Sequence, residues 1–283
     1  MTDPTRTSSR SAEMTALLSD ARAQATRCGR TDLSGRLDAL SEQVADPTMR
    51  VVVVGQFKQG KSALVNALVG GQVCPVDDVV GTSVPTVVSF GDAAAATLVT
   101  EVDGVSEPQT KPIPVDALRS HVTEAATLTD GVRPVRVDVE LPSPALAKGM
   151  VLVDTPGVGS TQHAHSASTL TMLPGADAVL MLSDASQEYT EPELTFLKQA
   201  AALCSNVTCV LSKTDPHPHW RSIRDADLQH LADSGLDLPL LPVSALLHQE
   251  ARSTGDDDLD ALSGLPELNR RLRTDVVDRV VAQ

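Results

Sequence analysis

No apolar run in this sequence is long enough to cross a bilayer. The longest, around Val51 and from Ala178 to Leu182, are of strand length, far short of the roughly 20 residues a spanning helix needs. The N-terminus lacks the apolar stretch of a secretory signal. Cysteine is scarce: Cys28, Cys74, Cys204 and Cys209 show no metal-ligand spacing, which fits a reducing cytoplasm. Positive charge is in deficit, with 23 Lys and Arg against 37 Asp and Glu and a formal net charge of −14. A field of that sign repels nucleic acid and anionic lipid, so no nucleic-acid partner is expected and any contact with phosphate must come from a local device. Internal repeats are absent, and the acidic "GDDDLD" at 255–260 reads as a solvated loop. Aromatic residues are few, and Tyr189 and Trp220 read as packing residues. The pairs His163 with His165 and His217 with His219 have no third ligand nearby in sequence and read as exposed loop rather than as a metal centre.

What is present is a core-forming grammar. Hydrophobic residues make up 41% of 283 positions, enough for a sizeable interior. Residues 1–9 are polar and are expected to form a disordered tail. From Ser11 to about Gln43, Met14, Leu17, Leu18, Ala21, Leu33, Leu37 and Leu40 recur at helical spacing, giving two amphipathic helices broken near Gly29. From Val51 onward, apolar runs at 51–54, 151–153, 179–182, 207–211 and 240–243 alternate with helix-length segments, the pattern of a mostly parallel sheet covered on both faces. Between Val87 and Leu141 "TVVSF", "ATLVTEV" and "VRVDVEL" alternate around a helix-like "PVDALRSHVTEAA", which predicts antiparallel strands extending one edge. At the C-terminus Leu265, Leu268, Leu272, Val276 and Val280 form one helical stripe.

The chemistry starts at Gly55-Gln56-Phe57-Lys58-Gln59-Gly60-Lys61-Ser62. This G-x-x-x-x-G-K-S sits between a predicted strand and a predicted helix. Loop amides and the positive end of the following helix together make an anion cradle, so Gly55, Gln59, Gly60, Lys61, Ser62 and Ala63 are candidate phosphate contacts. Lys61 is placed to bridge the β- and γ-phosphates, with Ser62 on Mg²⁺. "VLVDTPG" ends a second apolar strand with Asp154, a candidate Mg²⁺ ligand through water, and Gly157, whose amide is a candidate for the γ-phosphate. "VLSKTD" ends a third with Ser212, Lys213 and Asp215, and "LLPVSA" a fourth with Ser244 and Ala245. Strand carboxyl ends are where open α/β sheets bind ligands. As a buried carboxylate, Asp215 could accept from N1–H and the 2-amino group of guanine, which adenine does not offer. Lys213 would pack its stem on the base, and the Ala245 amide would reach O6. An ATP-dependent kinase with the same loop would have no use for Asp215.

G-K-S followed by D-x-P-G, S-K-x-D and S-A resembles the guanine-nucleotide-binding domains of the translation-factor and Ras-like superclass over about residues 51–247. Ser212 departs from the usual Asn or Thr. The wide separation of Lys61 from Asp154 and the segment "VELPSPALAKGMVLVDTPG" resemble bacterial dynamin-like proteins, and "GQFKQGKSALVNALVGGQVCPVDD" is similar to the isoniazid-inducible dynamin-like proteins of mycobacteria. The resemblance implies a P-loop GTPase domain over 48–250 that binds GTP or GDP with Mg²⁺, hydrolyses GTP, and pairs through its nucleotide face as a homodimer or with a paralogue. It implies that residues 10–46 and 264–283 form two halves of a neck; packing of those helices on the sheet is the alternative. It further implies a cytoplasmic protein, peripheral at the inner face of the cell membrane, that touches the membrane only through a stalk or tip this chain does not contain. Switch I needs a threonine for Mg²⁺ and the γ-phosphate, and Thr86, directly before "VVSF", is favoured over Thr82. Val158 stands where Ras-like enzymes carry a water-orienting glutamine. Lys58 occupies the place of the arginine that serves guanylate-binding proteins and atlastins as a finger in cis, where dynamin itself has serine; a lysine steering the nucleotide inward is the other reading. A non-enzymatic GTP-binding module that signals by occupancy is the rival to the enzyme.

Overall fold

The computed structural model describes residues 4–30, 33, 37, 48–76, 84–105, 107–118, 131–157 and 169–277. Its centre is strand β1, Met49–Gly55, in which every residue but Arg50 is buried. Such a strand needs apolar cover on both sides, and the pleat supplies two sets of side chains. Val51 and Val53 enter one core cluster and Val52 and Val54 the other. Parallel strands flank it: β6, Met150–Asp154, on one side, and β7, Ala178–Asp184, β8, Val207–Ser212, and β9, Leu240–Pro242, on the other. On the first face lies α2, Lys61–Val69. On the opposite face Leu194, Phe196, Leu197 and Ala200 of α3, Glu191–Leu203, and Leu231 of α4, Trp220–Asp233, close the second cluster together with the buried Tyr189.

The expected extension is present and longer than expected. Strands β2, Thr86–Phe90, β3, Ala95–Val102, β4, Gln109–Ile113, and β5, Val132–Leu141, complete a nine-stranded sheet of order β4-β3-β5-β2-β6-β1-β7-β8-β9. β2 runs parallel to β5 but antiparallel to β6, and β3 is antiparallel to both its neighbours. β4 escaped the sequence pattern because only Ile113 of its five residues is buried. Its Pro112 cannot donate to a ladder, which suits an edge strand. Of the helix expected from "PVDALRSHVTEAA", a 3₁₀ turn at Val115–Ala117 is described, and residues 119–130 lie outside the described residues.

Two expectations at the margins need correction. Helix α1 spans Pro4–Arg27, so the polar tail assigned to residues 1–9 is helical from residue 4; proline's fixed φ suits a first helical position. The chain turns at Gly29, and of the second N-terminal helix only Leu33 and Leu37 are described. The acidic stretch 255–260 is a capped helix rather than a loop: Asp256 accepts from the Leu259 amide at 2.9 Å and starts α6, Asp257–Leu262, after α5, Ala245–Thr254. Finally, Leu265 and Leu268 of α7, Leu265–Arg271, and Leu272 beyond it are buried in the α2-side cluster. The first part of the C-terminal stripe is therefore buried in the core as far as Leu272. The side chain of Val276 and all of Val280 lie outside the described residues. Among the described residues no helix is long and apolar enough to cross a membrane.

Candidate nucleotide site

The carboxyl ends of β1, β6, β8 and β9 open on one cleft, lined by Lys58, Gly60, Lys61, Ser62, Gly157, Lys213, Asp215 and Ala245. Parallel strands end together, which is why four motifs spread over some 190 positions converge. Lys58 and Lys213 are the two non-glycine residues with left-handed φ among the described residues, at 67° and 55°. The Lys213 ammonium bonds the Lys58 carbonyl, and the Ser212 hydroxyl donates to the Gln59 carbonyl at 2.6 Å. Ser212 thus performs a loop-holding task for which a hydroxyl suffices. The Lys58 ammonium lies 5.5 Å from the centre of the Phe57 ring.

Lys61 is buried at the base of the loop. Its Nζ donates to the carbonyls of Gly55 at 3.1 Å and Gln56 at 2.9 Å, and burial lowers its pKa to about 8 against the opposing pull of Asp154. The D-T-P-G turn approaches closely enough that a Cβ on Gly157 would stand 2.8 Å from the backbone of Phe57; only glycine fits. Thr155 locks the turn to β1 through its hydroxyl, 2.8 Å from the Val53 carbonyl.

Asp154 is fully buried. Its Oδ2 accepts from the Ser62 hydroxyl at 2.6 Å, while Oδ1 has no partner among the described residues. Burial raises its carboxyl pKa, opposed by the Ser62 bond, the Lys61 charge and the neighbouring Cys74 thiol. Thr86 is the residue opposite Asp154 in the β2–β6 ladder, and its buried Oγ1 also has no partner among the described residues. Paired residues of an antiparallel ladder share a face. Two orphaned oxygens beside a Ser–Asp pair make an all-oxygen donor set that fits a hard divalent cation. Thr82, Val158, His163 and His165 lie outside the described residues.

At the other end of the cleft the Ser244 hydroxyl donates to Asp215 Oδ1 at 2.6 Å and accepts from the Leu247 amide at 3.0 Å, capping α5. Asp215 is exposed in the open cleft, which corrects the expectation of a buried carboxylate; a base seated over it would supply the burial. Lys213 also reaches Asp184 at 3.4 Å. Burial alone would raise the Asp184 carboxyl, but the Ser186 hydroxyl and amide together with Lys213 outweigh it and hold it below its ordinary value.

A dynamin-family sequence profile matches residues 51–214, more than half of the chain. The chain belongs to the dynamin family. It is 39% identical over 250 residues to the isoniazid-induced protein IniA of Mycobacterium tuberculosis, an alignment that covers 88% of this chain and 39% of that protein. It is 23% identical over 184 residues to dynamin-like protein A of Bacillus subtilis, covering 65% of this chain and 15% of that one. In fold it resembles a chain of the solved oligomerised bacterial dynamin pair, with a TM-score of 0.64 at 17% identity over 94% of this chain and 43% of that chain. This dynamin-family chain thus spans about two fifths of the length of IniA and carries the GTPase domain of the family.

Several residues at the site were not singled out from sequence. Asp184, which pairs with Lys213, is a strand-end carboxylate without a motif. Gln56, Thr190 and Glu193 join the phosphate loop to α3. The one readable signal among them is T-x-x-E before a helix, a capping box, and it points to a helix start rather than to a loop 134 positions upstream.

Proposed function

We propose that this chain binds GTP with Mg²⁺ and hydrolyses it to GDP and phosphate, and that two copies, or this chain and a paralogue, meet across the nucleotide face when GTP is bound. The observation that carries the reading is the Asp154 carboxylate, wholly buried with one oxygen on Ser62 and the other without a partner among the described residues, behind a cleft lined by Ser62 and Asp215. Ser62, Thr86 and Asp154 would hold Mg²⁺, which would supply charge neutralisation to the bound phosphates. Lys61, which now satisfies itself on two loop carbonyls, would turn to the same phosphates. The amides of Gly60, Ser62 and Ala63 at the loop and helix start, and that of Gly157 across from Phe57, would bind phosphate oxygens. Asp215, oriented by Ser244, would read the guanine edge, with the Lys213 stem under the ring and the Ala245 amide on O6. Lys58 would stabilise charge gathering on the transferred phosphoryl group.

Pairing draws support from the fold shared with a chain of an oligomerised bacterial dynamin pair. That pair's part in the long-range sensing and tethering of membranes suggests membrane remodelling for the longer relatives, with this chain cytoplasmic and peripheral. Turnover of GTP against protein concentration, read beside mass in solution with and without a transition-state mimic, tests the proposal. Turnover per chain is expected to rise with concentration as the mass doubles. Slow turnover independent of concentration would instead make the chain a module that signals by occupancy.

A further inference from the structure

The phosphate loop is braced from beneath by one of its own residues. Gln59 folds under the loop with only 4% of its surface exposed. Its Oε1 accepts the Gln56 amide at 2.6 Å while its Nε2 donates to Glu193 Oε1 at 2.7 Å. The fit is close, since a Cβ on Gly55 would stand 2.8 Å from Gln59 Oε1. Glu193, 2% exposed, is the third residue of α3. Its other oxygen accepts the Thr190 amide at 2.9 Å and the Thr190 hydroxyl at 2.7 Å, and Thr190 Oγ1 in turn receives Gln56 Nε2 at 3.3 Å. Oxygen meets donor and nitrogen meets acceptor along the whole chain of bonds, so the Gln59 amide has one admissible orientation.

We propose that Glu193, outside every nucleotide motif, is a positioning residue for the phosphate loop and acts through Gln59. It touches no ligand. It holds Gln59 so that the Gln56 amide is tied down and the loop keeps its curve before a nucleotide arrives, which moves the cost of ordering the loop from binding into the fold. The role in nucleotide binding rests on the GTP reading above; the brace itself does not.

Glu193→Gln is the discriminating change. An amide at this position still accepts both Thr190 bonds through its oxygen, so the helix cap survives. Its NH₂ then faces the NH₂ of Gln59, and turning Gln59 over only moves the clash to the Gln56 amide. Hydrogen exchange of residues 55–60 in the ligand-free chain is expected to quicken about tenfold, with circular dichroism unchanged. Affinity for a non-hydrolysable GTP analogue with Mg²⁺ is expected to fall about tenfold. In a Gln59→Ala chain the same Glu193→Gln change is expected to move neither quantity. Unchanged exchange overturns the proposal, as does a loss that recurs in full on the Gln59→Ala background. Faster exchange with undiminished affinity also overturns it, because the brace would then serve the fold alone. A parent chain that binds no guanine nucleotide overturns the GTP reading instead, and the exchange measurement still decides the brace.

Discussion

Asp215 illustrates how one atom's partner decides what a neighbouring atom can read. Because Ser244 donates to Oδ1, an amide at this position would turn its oxygen to Ser244 and its NH₂ to the cleft. Asp215→Asn is therefore expected to weaken GTP binding by about a hundredfold or more and to admit xanthosine triphosphate, whose 2-oxo group accepts; competition between the two nucleotides measures it. Lys58→Ala is expected to lower the turnover of paired chains by about tenfold or more at nearly unchanged GTP affinity. A variant that lost affinity and kept its turnover would make Lys58 a steering charge. Asp227 of α4 carries a pH prediction. Its Oδ1 accepts the Tyr189 amide at 2.7 Å and its Oδ2 has no partner among the described residues. Burial pushes its pKa up to about 6, helped by Glu193 and Glu188 and opposed by the Tyr189 amide and His230. The folded chain thus binds this proton more tightly than the unfolded one, whose carboxyl titrates near its ordinary value of 3.8. The sign follows: this group's contribution to stability grows as pH falls from about 6 toward 4, and at neutral pH its charge weakens the fold. Asp227→Asn is expected to melt higher than the parent at pH 7.5, by the equivalent of about 3 kcal/mol, with the gap closing toward pH 4. A gap that does not change with pH would remove the carboxylate's charge as its cause.

Among the elements, legibility in the sequence followed burial. The parallel strands could be read because both of their faces are covered, so runs such as Val51–Val54 are apolar without interruption. β4 could not be read, because one buried side chain leaves no alternation to detect. The four nucleotide motifs were legible because their chemistry demands particular residues at strand ends. The Gln59–Glu193 bond was not, since nothing local in either segment encodes the distant partner. α7 shows the same limit: its leucine stripe announced an amphipathic helix but not the surface it meets. Since Leu268 is fully buried against the core, Leu268→Ala is expected to cost about 2–5 kcal/mol in denaturant unfolding of the domain. A loss below about 1 kcal/mol would favour a detachable neck over packing on the domain.

At the scale of the whole molecule, the net charge of −14 sets the conditions for the proposed pairing. Two copies approaching face to face repel over roughly the 10 Å Debye length of 0.1 M salt. The mass of the nucleotide-bound chain in sedimentation is therefore expected to shift toward the dimer as salt rises from about 50 to 300 mM, opposite to an interface held by complementary charges; a shift toward the monomer would assign the contact to ion pairs. The bonds from Ser212 and Lys213 onto the carbonyls of Gln59 and Lys58 carry a different consequence. They tie the wall proposed to grip phosphate to the wall proposed to read the base. In the language of linkage, a disturbance at one wall is passed to the other. Guanosine and pyrophosphate offered as separate molecules would bind cooperatively, and a mismatched base would loosen the hold on the phosphates as well as on its own ring.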